Sequence, residues 1–170
     1  MWRILEILCN QTYQMLYRRL TIAELETLTE QFIHFLAVNG IAGDDWERMK
    51  TENRPRMEAF LDDFSDMVFQ TTIEKTNYLL YTEAKELMVF DMQENHSHLY
   101  SFRLKEEAEF SFTDCKNLNE AIAKMKASSH IQVSDLKRAY RQPRDREIFM
   151  LLESGCSILQ QADFEAIRED

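Results

Sequence analysis

His96-Ser97-His98 is the closest thing to a chemical site in this chain. Two imidazoles one residue apart on an extended segment point to the same side, as chelating histidines do. A closed zinc site needs one or two further His, Cys or carboxylate ligands. Glu94 is near in sequence, and no other ligand has a position that can be read. A polar hairpin tip, the ordinary role of such residues, accounts for the pair without a metal. The expectation is therefore no cofactor, with His96 and His98 as the residues to watch.

The other reactive residue types meet the same test. A catalytic cysteine needs a lowered pKa and a partner base. Neither Cys115 nor Cys156 sits in a recognisable signature, and Cys156, beside Ile158, reads as a small buried thiol. His34 lies one turn after Glu30, as in a surface ion pair. Glu58, Asp62 and Asp66 recur every four residues, with Asp63 adjacent. Di-metal carboxylate bundles add Glu-x-x-His motifs on two helices, and none exists here, so a solvated acidic face is expected. Lys137, Arg138, Arg141, Arg144 and Arg146 crowd around Tyr140, with Tyr17-Arg18-Arg19 as a further basic stretch. Basic residues interleaved with an aromatic can hold RNA or another polyanion. Pairing with the protein's own carboxylates is the preferred reading, because a net charge of −10 repels polyanions. Nucleic acid and membrane surfaces are disfavoured as partners for the same reason.

No phosphate-cradling loop, nucleophile elbow or H-E-x-x-H motif is present, and three glycines could not build a Gly-rich loop. Three cysteines, Cys9, Cys115 and Cys156, lie far apart without C-x-x-C spacing, which suits a reducing cytoplasm. The apolar run Met1–Cys9 is short and broken by Glu6, so it reads poorly as a signal peptide.

The elements that must position these residues follow from periodicity. With 170 residues, 45% hydrophobic and only two prolines, the chain has the size and composition of one globular domain rich in helix. Thr21 and Glu24 form a capping box with Leu20 and Leu25 as its staple. The helix after it is expected to bury Ile22, Leu25, Leu28, Phe32, Ile33, Phe35 and Leu36 and to stop at Asn39-Gly40. A second helix starts near Asp44. A third opens at Pro55 and runs to about Tyr81, with Met57, Phe60, Leu61, Phe64, Met67 and Val68 on one face. Phe69, Ile73 and Leu80 fall on the opposite face, as either a second buried stripe or an exposed patch for a homodimer or partner helix. Met88, Phe90 and Met92 alternate, as do Tyr100, Phe102 and Leu104, so the two segments read as a hairpin with both sets on one side. Ala108, Phe110 and Phe112 suggest a third strand. Helices follow at Leu118–Ala127, Ser134–Tyr140 and Asp145–Ser154, with a last short one around Phe164 and Ile167.

From Met15 the chain reads Met-Leu-Tyr-Arg-Arg-Leu-Thr, then Phe35-Leu-Ala-Val-Asn-Gly-Ile41, Asp44-Asp-Trp-Glu-Arg-Met-Lys50, Phe64-Ser-Asp66 and, near the end, Glu153-Ser-Gly155. These segments resemble a family of small bacterial proteins of unknown function. The resemblance covers Met15 to nearly the C-terminus and implies a compact cytoplasmic domain. It transfers no activity and no site residue.

The expected architecture is α+β, with several helices packed on a small antiparallel hairpin or three-stranded sheet. Residues 1–14 form an extension and 15–170 a single domain. The leading role is a non-enzymatic protein-interaction or regulatory domain with a protein partner or a second copy of itself. The alternative is a metal-dependent or thiol enzyme, and the third reading is an RNA-associated protein.

Overall fold

A computed structural model describes residues 15–168. The expectations for the apolar run Met1–Cys9, the extension 1–14 and Cys9 lie outside those residues. Among the described residues the chain forms seven α-helices and one five-stranded antiparallel sheet, so the fold is α+β. It divides into two compact units between Thr71 and Thr72.

The first unit is helical: α1 (Ile22–Thr27), α2 (Thr29–Val38), α3 (Gly43–Glu52) and most of α4 (Arg54–Lys75). The capping box forms as expected. Thr21 Oγ1 accepts from Glu24 N–H at 3.3 Å, and Glu24 Oε2 accepts from Thr21 N–H at 2.7 Å. The expected single helix is instead two, broken at Leu28. Thr27 and Thr29 donate their hydroxyls to the carbonyls of Glu24 and Glu26 at 2.7 and 2.9 Å, a local bonding that competes with the helical ladder. The break turns Ile22 (77% exposed) and Ile33 (61%) outward, contrary to their expected burial. Asn39-Gly40 ends α2 as expected, with Gly40 at φ +72°. The rings of Phe32 and Phe35 pack edge-on or tilted against the fully buried Phe64, with Trp46 edge-on to Phe32 and Phe60 edge-on to Phe35.

The second unit holds the sheet, in the order β4-β3-β2-β1-β5. Its elements are β1 (Tyr78–Thr82), β2 (Glu86–Met92), β3 (His96–Leu104), a 3₁₀ turn (Phe112–Asp114), α5 (Leu118–Ala127), β4 (Ile131–Ala139), α6 (Arg144–Glu153), β5 (Ser157–Leu159) and α7 (Gln161–Arg168). Leu87, Val89 and Asp91 oppose Phe102, Tyr100 and His98, and directly opposed residues share a face. That face carries the main core, in which Leu87, Val89, Phe102 and Leu104 pack with Ile122 and Met125 of α5 and Phe164 and Ile167 of α7. On the other face Leu79, Phe90 and Met92 are buried, and α6 is tied down through Arg138–Glu147.

Five expectations are corrected here. Met88, Phe90 and Met92 oppose Ser101, Leu99 and Ser97, so they lie on the side away from Tyr100, Phe102 and Leu104. Both faces of β2 are buried, and alternation cannot orient a strand that is apolar on both sides. The third helix stops at Lys75, and Tyr78–Thr82 is β1. The segment expected as a helix over Ser134–Tyr140 is strand β4 as far as Ala139, while Ala108 and Phe110 lead as loop into the 3₁₀ turn at Phe112, all three packed against the core. The sheet therefore has five strands, where the sequence suggested two or three.

Candidate functional site

The sheet carries the histidine pair as its strand geometry requires. His96 and His98 alternate on β3 and share a face, with ring centroids 5.2 Å apart. Across the sheet a row runs Tyr78, Asp91, His98, Lys137 on β1 to β4. Asp91 is buried and accepts from Gln93 Nε2 at 2.6 Å. His98 Nδ1 has no hydrogen bond and lies 3.5 Å from Asp135 Oδ1 on β4. The carboxylates that the register brings beside His98 are Asp91 and Asp135. Burial, with Lys137 and His98 beside it, holds the His96 imidazole below its ordinary value, against the pull of Asp91. α7 roofs the adjoining part of the row. Phe164 stacks on Tyr78 at 4.1 Å, and the Arg168 guanidinium sits 5.1 Å from the Tyr100 ring centre. Burial raises the Tyr100 phenol, opposed by Arg168. Among the described residues no group of three or more His, Cys, Asp or Glu side chains is arranged to hold a metal ion.

The thiols stand apart from this row. Cys156 is buried, and burial pushes its thiol up, the opposite of what a nucleophile needs. Cys115, half-buried, donates to the Ser111 carbonyl at 3.5 Å.

The basic set does not form one patch. Neighbours on a strand face opposite ways, so Lys137 and Arg138 point to the two sides of β4. Arg138 pairs with Glu147 at 2.6 Å. Arg144 donates to the carbonyls of Thr76 (2.7 Å) and Met92 (3.1 Å). The Arg146 guanidinium lies 5.7 Å from the Phe149 ring centre, and Arg141 lends its backbone N–H to Glu147 at 2.8 Å. The cationic segment is largely spent inside its own unit.

Phe69, Ile73 and Leu80 do not form a stripe either. Ile73 is fully buried, Phe69 is half-buried with Tyr17 at 5.8 Å and Arg18 over its ring, and Leu80 sits on β1 against the core. The acidic ladder of α4 is likewise not a solvated face. Asp66, 6% exposed, accepts from the backbone N–H groups of Leu16 and Tyr17 at 2.8 and 3.0 Å, and Asp62 pairs with Arg19 at 2.5 Å.

In the helical unit, Glu30, Gln31, His34, Phe35 and Val38 of α2 and Met67 of α4 line an open groove of about 580 Å³. Gln31, His34, Phe35 and Val38 recur at helical spacing, so they share one face. Val38 is 73% exposed and Met67 42%. Met67 was expected on the buried face of its helix. The α2 stripe is the signal that could have revealed the groove.

A family of unknown function, DUF6495, matches residues 15–169. The chain belongs to this family. The resemblance read from Met15 onward is borne out, and DUF6495 membership brings no assigned activity. No curated protein and no solved structure matches the chain. None of the described helices is long and apolar enough to cross a membrane.

Proposed function

We propose that this DUF6495 protein is a non-enzymatic interaction domain whose helical unit receives apolar side chains of a protein partner. The groove carries the reading: Val38 and Met67 are exposed beside Phe35, whose ring is anchored by Phe60 and Phe64. Apolar anchors entering a rigid aromatic-backed groove are a common source of binding energy. Glu30 on the rim and the net charge of −10 favour a partner segment carrying basic residues. The raised thiol of Cys156 and the internal bonding of Arg138 and Arg144 support this role over the thiol-enzyme and RNA readings.

The test is affinity purification from the native cell, with Val38→Asp/Met67→Asp as the comparison and Phe35 left intact. A defined protein held by the wild type and lost by an equally stable variant supports the groove. Equal recovery by both overturns it.

One observation keeps a metal reading in view. His98 Nδ1 is buried without a hydrogen bond, 3.5 Å from Asp135 Oδ1, with the His96 ring 5.2 Å from its own. Zinc titration by calorimetry, against His96→Ala/His98→Ala, checks it. Stoichiometric binding lost in the variant would shift the assignment to the sheet.

A further inference from the structure

We infer that two copies of this chain pair antiparallel through the outer edges of β4, with Leu136 on the two-fold axis. This does not rest on the reading of the helical groove. β4 is nine residues long, ends the sheet, and among the described residues its outer side has no partner strand. An open edge of that length is a template for another strand. Val133 is 62% exposed and Leu136 57%.

The phase of the ladder fixes which backbone groups are free. Lys105 N–H donates to the His130 carbonyl at 2.9 Å, and the register continues Leu104 opposite Ile131 through His96 opposite Ala139. Hydrogen-bonded and non-hydrogen-bonded pairs alternate along an antiparallel ladder. Even-numbered residues of β4 therefore bond inward to β3. Ile131, Val133, Asp135, Lys137 and Ala139 turn their N–H and C=O outward.

A two-fold pairing must set outward residues against outward residues, so the axis has to pass through a residue and not between two. With Asp135 on the axis, Asp135 faces its own copy, and with Lys137 there, lysine faces lysine. Like charges directly opposed are destabilising. With Ser134 on the axis, Val133 meets Asp135 and Ile131 meets Lys137, and no charge is compensated. With Leu136 on the axis, Asp135 of each copy meets Lys137 of the other, twice. Val133 then meets Ala139, and the two Leu136 side chains meet at a non-hydrogen-bonded position, where opposed Cα atoms are closest, about 4.5 Å apart. Asp135 is 59% exposed at its side chain, leaving an oxygen for the second copy beside its contact with His98. Only this register sets Asp135 against Lys137, the charge complementarity that an isologous interface draws on.

Light scattering coupled to size exclusion, at low salt and micromolar concentration, tests this with the full chain. The wild type should run at twice the monomer mass. Asp135→Lys and Lys137→Asp each set like charges against each other and should run as monomers. The double swap Asp135→Lys/Lys137→Asp should recover the dimer, and an equimolar mixture of the two single variants should form a heterodimer. Recovery in the swap and the mixture also shows that the single variants are folded. A monomeric wild type, single variants that stay dimeric, or a swap and mixture that stay monomeric would each overturn the proposal.

Discussion

Asp66 shows how far a side chain's role can depart from the face it was assigned to. Its carboxylate, 6% exposed, is tied to the backbone N–H groups of Leu16 and Tyr17, and the neighbouring Ser65 hydroxyl accepts from Leu20 N–H at 3.0 Å. These bonds fasten the entering segment to α4. Replacing Asp66 by Ala removes the acceptor of two part-buried hydrogen bonds and should cost about 1–2 kcal/mol in urea unfolding; a loss below about 0.5 kcal/mol, the range of ordinary surface changes, would refute the anchoring role. Arg144 makes a parallel case, since its guanidinium holds the Thr76 and Met92 carbonyls. Arg144→Ala should lower the melting temperature by several degrees, whereas a solvated polyanion-binding arginine would leave it unchanged. Glu24 gives a pH signature. Its hydrogen bond to Arg18, helped by Thr21, holds its carboxyl down from 4.5 to about 2. A depressed folded-state pKa contributes stability that is fully present above the unfolded value and lost as pH falls through the folded one. The melting-temperature gap between wild type and Glu24→Gln should therefore be constant above about pH 5 and close between pH 4.5 and about 2. Because both partners are more than a third exposed, with side-chain exposures of 35% and 39%, the gap should be small, under about 1 kcal/mol.

At the scale of elements, the sequence announced itself best where a single local device sets the structure. The Thr21–Glu24 box, the Asn39-Gly40 stop and the Gly155 turn at φ +99° are each written in a few adjacent residues, and each forms. Strands that depend on partners distant in sequence were harder. β4 reads Ile-Gln-Val-Ser-Asp-Leu-Lys-Arg-Ala, whose serine followed by charged residues mimics a capped helix, and pairing with β3 overrides that preference. Tyr78, Leu79 and Leu80 of β1 fit either period and so continue the preceding helix by pattern alone, and the three-residue β5 has too little length to show one. The sheet face holding His98 was legible only in part. Alternation put the two histidines together, but Asp91 and Asp135 join them through cross-strand register, which lies outside local pattern. Phe102 tests the corrected register. It lies in the main core opposite Leu87, so Phe102→Ala should cost about 3–5 kcal/mol. Phe110→Ala, on the half-buried loop, should cost distinctly less in the same chemical-denaturation series.

For the whole molecule, the decisive quantity is the imbalance of 30 acidic against 20 basic side chains. Many of the described cations are already committed: Arg18 to Glu24, Arg19 to Asp62, Arg48 to Asp45, Arg103 to Glu86 and Arg138 to Glu147. The surplus carboxylates therefore repel one another without compensating charge, and self-repulsion destabilises the compact state. Added salt acts in two directions. It screens this repulsion, which stabilises, and it weakens the exposed ion pairs, which destabilises. Exposed pairs contribute little each, while repulsion grows with the square of the net charge, so screening of the surplus should win away from the isoelectric point. The melting temperature should rise with sodium chloride at pH 8. It should be nearly insensitive at pH 5, close to the isoelectric point of 4.9, where the surplus has been titrated away. The wild type and the monomeric Asp135→Lys variant should be measured together, because salt also weakens the Asp135–Lys137 pairs of the proposed dimer, and only the monomer isolates the intramolecular term. A melting temperature that falls with salt at pH 8 in the monomeric variant would show that the ion pairs outweigh the net charge.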